Sequence, residues 1–201
     1  MRPQVYSDDR IFESISVVLA QQGYEALTLN NIAVQAKLSP AILSKRFGSK
    51  KGMLLAYYES LVKATQKGFS KLSEHALPLA DALTEILTQW LIFIKNPQEC
   101  SNFMMLYLKL STEQEFIEIS KRRHKIIDAE VKAILEKSMR RGEMQCQDIA
   151  GMSLVLQAAV TGAAMLWCRD DENIDPRRFI ATCIKTIIGS NSGGGLNEQP
   201  N

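Results

Sequence analysis

The punctuation between Gly23 and Lys50 limits this chain's fold more than any other feature. Thr28, Ser39-Pro40 and Ser49 each stand where a helix can begin, and Gly23 and Gly48 where one can end. With Ile11, Ile15, Val18 and Leu19 recurring on one face of a preceding helix, the pattern predicts three helices of about 14, 8 and 7 residues. The last two are joined by a tight turn. That arrangement is what a helix-turn-helix requires, because a short second helix braces a third whose outer side must enter a major groove. Ile32, Ala33, Ala36, Leu38, Leu43 and Phe47 can form its small internal core, and the two alanines let the helices approach closely.

The same punctuation continues at longer intervals. The helix opened by Ser49 runs to about Leu72. Pro78 starts an apolar-rich helix to about Lys95, carrying Leu83, Ile86, Leu87, Trp90, Leu91 and Ile94. Asn96-Pro97 opens a helix to about Leu110. Thr112-Glu-Gln-Glu115 fits a capping box and starts a long helix that Gly142 ends. Asp148 and Asp175-Pro176 open the last two, ending near Cys168 and Ile188. Alternating β-branched runs are sparse, so the expected class is all-α. The Gly/Ser-rich residues that follow read as a flexible tail.

Composition excludes more than it selects. A net charge of +2 rules out a polybasic protein that binds DNA by bulk charge. Its distribution is more informative: Lys37, Lys45, Arg46, Lys50 and Lys51 stand together with no acidic residue among them. Cys100, Cys146, Cys168 and Cys183 form no C-x-x-C pair, and His75 and His124 have no ligand-like spacing, so no metal site or disulfide framework is expected. No nucleophile elbow, phosphate loop or paired zinc-binding histidines occur, which leaves no catalytic residue or cofactor to name. The first residues lack an apolar run, and the apolar stretch from Met152 to Cys168 is interrupted by Ser153, Gln157 and Thr161. A cytoplasmic protein with no membrane association is expected.

The run TLNNIAVQAKLSPAILSKRFGSKKGML resembles the N-terminal signature of the TetR family of regulators, through Gly23-Tyr24, Thr28, Ile32-Ala33, Ala36, Ser39, Leu43, Phe47 and Ser49-Lys50. The likeness covers roughly Arg10 to Leu55. It departs at Ser44, where the family usually has Tyr, and at Lys51, where it usually has Glu. Losing an aromatic while gaining a cation should shift binding toward phosphate attraction.

The resemblance implies a helix-turn-helix domain at 1–52, a helical ligand-binding and dimerisation domain at 53–189, and a tail at 190–201. Matching positions imply phosphate contacts from Thr28 and Lys50. They imply base-edge contacts from Pro40, Ala41 and Ile42, which being apolar would favour thymine methyl groups. Lys45 is the chief polar candidate, with Ser39, Ser44 and Arg46 on or beside the same face.

One recognition helix buries too little to select a genomic site, so a homodimer on a palindromic double-stranded operator is expected. The last two helices suit that role. Ala158, Gly162 and Met165, with Thr161, lie along one stripe, and Phe179, Cys183 and Ile187 complete the expected interface. Trp90, Phe93, Phe103, Met104, Tyr107 and Phe116, together with Gln157 and Thr161, are the candidates for a pocket holding a small apolar or amphipathic effector, as the resemblance implies. Repression relieved by that effector is the family's usual outcome. The rival readings, an enzyme or a ligand-binding bundle without DNA activity, lack an equivalent motif.

Overall fold

A computed structural model describes residues 7–72, 77–169 and 175–192. Its described residues are helical, with no strand: α1 (Asp8–Gln22), α2 (Leu29–Ala36), α3 (Pro40–Phe47), α4 (Lys50–Leu72), α5 (Leu79–Leu87), α6 (Pro97–Leu110), α7 (Gln114–Arg140), α8 (Ile149–Trp167) and α9 (Pro176–Ser192). Short 3-10 turns cover Tyr24–Ala26 and Gln89–Phe93. His75 and the tail beyond Ser192 lie outside the described residues.

Most expected caps are in place. Thr28 Oγ1 accepts from Asn31 N at 3.1 Å, and Asn96 Oδ1 from Glu99 N at 2.9 Å. Asp148 Oδ1 accepts from Gly151 N at 2.8 Å, and Asp175 Oδ1 from Arg177 N at 2.9 Å. Each satisfies an amide that the first helical turn leaves without a partner.

Four expectations need correction. Ser39 occupies the N-cap position of α3, but its hydroxyl makes no capping bond. The capping box at Thr112–Glu115 does not form: Thr112 Oγ1 donates back to Lys109 O at 3.0 Å, and α7 starts at Gln114. The single helix expected from Pro78 to Lys95 ends at Leu87. There Thr88 Oγ1 donates to Thr84 O at 2.6 Å, and the chain tightens into the 3-10 turn. α9 continues four residues past the expected stop at Ile188.

The chain forms two compact units, one of residues up to Thr65 with Ile92–Arg123, the other of Gln66–Leu91 with the residues from His124 onward. In the first, α1 packs against α2 and α6, and α2 against α3. Ile11, Ile15, Leu19, Ile32, Ala33, Ala36 and Leu43 are sealed from solvent, as the spacing predicts; Leu27 joins them, while Leu38, expected in the core, is half-buried. In the second, α9 packs against α5 and α8, around Leu83, Leu156, Ile180 and Ile184.

α8 is, by length and composition, apolar enough to cross a membrane, although its polar interruptions suggested otherwise. Those interruptions are satisfied locally: Thr161 Oγ1 donates to Gln157 O at 3.0 Å, and Ser153 Oγ to Asp128 Oδ1 at 2.7 Å. One face of α8 is core, with Met152, Leu156, Val160, Ala163, Ala164 and Trp167 buried.

Candidate nucleic-acid interface

The turn between α2 and α3 sets the site. Lys37 takes a left-handed conformation, φ 54°, and is the one non-glycine residue with positive φ among the described residues. The Lys37 and Leu38 amides then fold back onto the carbonyls of Val34, at 3.0 Å, and Ala33, at 2.8 Å. This closes α2 while redirecting the chain. Pro40 opens α3 at its first position, where a missing N–H costs nothing.

Within α3 only Leu43 is fully buried, and Ile42 and Phe47 are half-buried. Pro40, Ala41, Ser44, Lys45 and Arg46 are exposed, so one anchor residue holds the helix while most of its surface stays open. Thr28 and Ser39 are exposed alongside. Val34 on α2 is 77% exposed, an apolar side chain near the turn that the sequence reading passed over.

The basic residues divide into held and open ones. Arg46 Nε pairs with Asp8 Oδ1 at 2.7 Å, tying α3 to the start of α1. Lys51 Nζ lies 3.1 Å from Glu113 and 2.8 Å from Glu115, and these bonds raise its pKa. The added cation at position 51 is therefore answered inside the chain, which removes the reason to expect stronger phosphate attraction from it.

Lys50 is half-buried, with Nζ 4.1 Å from the centroid of the Tyr24 ring and donating to Tyr24 O at 3.2 Å. Burial lowers its pKa. Lys109 stacks on the same ring at 4.4 Å and pairs with Glu25. Lys45, by contrast, forms no ion pair among the described residues.

Residues 11–57 match the family model described as bacterial regulatory proteins, tetR family. The N-terminal part of the chain is therefore similar to the TetR-family DNA-binding domain. Solved structures extend the likeness in fold to the rest of the chain. A transcriptional regulator from Rhodococcus sp. Rha1 is 18% identical with a TM-score of 0.73, over 92% of this chain and 96% of that one. A TetR transcription regulator from Haloarcula marismortui is 16% identical with a TM-score of 0.72, over 92% and 95%. A Saccharomonospora viridis protein solved in complex with choline is 16% identical with a TM-score of 0.74, over 92% and 96%. No curated protein matches the chain.

The effector candidates of this TetR-like chain fall in both units. In the first, Phe116 is 1% exposed and meets the Tyr58 ring edge-on at 5.3 Å, which makes it core. Phe103 and Met104 are half-buried, while Phe93 and Tyr107 are exposed. In the second, Trp90 Nε1 donates to Leu87 O at 2.9 Å, and Gln157 Nε2 to Ser153 Oγ at 3.2 Å. Thr161 is exposed.

The expected dimer residues are open to varying degrees. Ala158 and Met165 are exposed, while Gly162, Phe179, Cys183 and Ile187 are half-buried. Leu154, Val155 and Leu166 join them as exposed apolar side chains on α8.

Sequence reasoning missed Arg123, whose Nε donates to Thr65 Oγ1 at 3.0 Å. The signal was available. Arg123 lies four residues after Ile119 and seven after Phe116, on the buried stripe of α7.

Proposed function

We propose that the chain is a homodimeric transcriptional repressor that reads a palindromic operator with α3 and releases it on binding a small-molecule effector. The observation carrying this reading is the single-anchor seating of α3: Leu43 is sealed in the core while Pro40, Ala41, Ser44 and Lys45 face outward. A helix that buries one residue leaves a surface wide enough to enter a major groove, and its apolar members suit thymine methyl groups. Thr28, Ser39 and Lys45 border that surface as phosphate or base contacts, and residues 1–52 form the reading part.

Dimerisation is supported by the exposed apolar stripe of α8, Leu154, Val155, Ala158, Met165 and Leu166. Exposed apolar rows of that length mark interaction surfaces on soluble chains. Gly162 within it permits close helix approach, and Phe179, Cys183 and Ile187 on α9 extend it. Effector control is supported by the choline-bound protein of the same fold. An effector alters DNA affinity only through its differential affinity for two states.

Selection of the full-length protein against random duplexes tests this reading. An inverted repeat should be enriched, its half-sites about one helical turn or a multiple apart, with affinity falling steeply with salt. Absence of enrichment together with salt-insensitive binding contradicts it.

A further inference from the structure

The corner between α1 and α2 is held from outside itself. The last carbonyls of a helix have no partner within it, and the Ala20 carbonyl in the final turn of α1 accepts from Asn102 Nδ2 of α6 at 2.8 Å. Gly23 makes room for that side chain: it is buried at φ 79°, and a Cβ there would lie 3.2 Å from Asn102 Oδ1. Two turns further along the same side of α6, Lys109 lies over the Tyr24 ring and pairs with Glu25. Lys50 of α4 meets the same ring and donates to the Tyr24 carbonyl, which also accepts from Leu27 N at 3.1 Å. Leu27 is sealed in the core, and the next residue is Thr28, the cap of α2.

The corner's own backbone does not fix its angle. Gly23 has access to many backbone conformations, and the 3-10 turn after it spans only Tyr24–Ala26. Asn102 and Lys109 supply the missing restraint, and both lie outside the residues 11–57 that match the family model.

We infer that Asn102 and Lys109 are positioning residues for operator reading: they clasp the Ala20–Glu25 corner and so fix the direction in which α2 and α3 present their surface. This rests on the operator reading above. A dimer must seat two reading helices on half-sites at one spacing, so a head that samples several directions binds the operator only while both are aligned. Random duplex is held chiefly through its phosphates, which a head meets in many directions. The clasp therefore acts on discrimination between duplexes and not on bulk affinity. Lys109 does this without touching DNA, its charge being answered by Glu25.

Affinities of the full-length protein for the selected operator and for a random duplex, measured at one salt concentration beside Tm, test the inference. Lys109→Met, Glu25→Gln and Asn102→Ala change the charge of the chain by −1, +1 and 0, yet each should lower the operator-to-random ratio about fivefold. Lys109→Arg, which can both stack and pair, should keep it. The Lys109–Glu25 pair is largely open to solvent, so Tm should stay near that of the unaltered protein in its two variants. A ratio that falls in Lys109→Met and rises in Glu25→Gln overturns the clasp, because charge on the duplex then explains both. A lowered Tm with an unchanged ratio also overturns it, leaving a merely structural role, and in either case the operator reading stands. An unaltered protein that does not distinguish the two duplexes overturns the operator reading itself, and the clasp with it.

Discussion

Lys45 and Lys50 lie in one short basic run, and the fold uses their charges differently. Lys45 projects from α3 without an ion pair among the described residues, whereas Lys50 lies over the Tyr24 ring and donates to the Tyr24 carbonyl. Their substitutions should therefore separate. Lys45→Ala should weaken binding to the selected duplex and reduce the slope of log affinity against log salt by about one, with Tm unchanged. Lys50→Ala should destabilise the protein by about 1 kcal/mol, seen in urea unfolding, with the salt slope nearly intact. An unchanged stability with a flattened slope for Lys50→Ala would instead restore the phosphate contact implied by the family resemblance. Residue identity alone could not distinguish these lysines. Their difference depends on Tyr24, 26 residues before Lys50, and on the 3-10 turn that presents it.

Among the elements, the α2–α3 turn is the strained one. A left-handed non-glycine residue costs about 1–2 kcal/mol, and Lys37 carries that cost in a turn closed by two backbone hydrogen bonds. Lys37→Gly should stabilise the protein by about 1 kcal/mol in urea unfolding. Loss of stability would mean that the lysine side chain itself holds the turn.

Helix boundaries were legible wherever a local cap sets them. α2 and α6 begin where Thr28 and Asn96 predict, and α3 begins and ends where Pro40 and Gly48 predict. They were illegible where a hydroxyl had a choice of partners, as at Thr112 and Thr88, because competition between local backbone acceptors leaves no trace in residue spacing. The core stripe of α1 was legible through its period. The period of α7 put Arg123 on its buried stripe, but its bond to Thr65 was not legible, because it joins α7 to α4, far apart in sequence.

For the whole molecule, the account requires two copies of α3 held at a fixed spacing, the apolar stripe of α8 supplying the contact between copies. On the proposed reading, effector control acts on that spacing, and ring contacts from Phe116 through Tyr58, Tyr57 and Phe12 to Phe47 give the change a physical route within the first unit. The claim on which the rest depends is that α3 reads DNA from the major groove. Methylation interference on the selected duplex tests it most directly, since guanine N7 lies in the major groove and adenine N3 in the minor. Methylation of guanine N7 should block binding in two clusters, one per half-site, about one helical turn or a multiple apart on one face of the duplex. Binding indifferent to guanine N7 but blocked at adenine N3 would contradict the account.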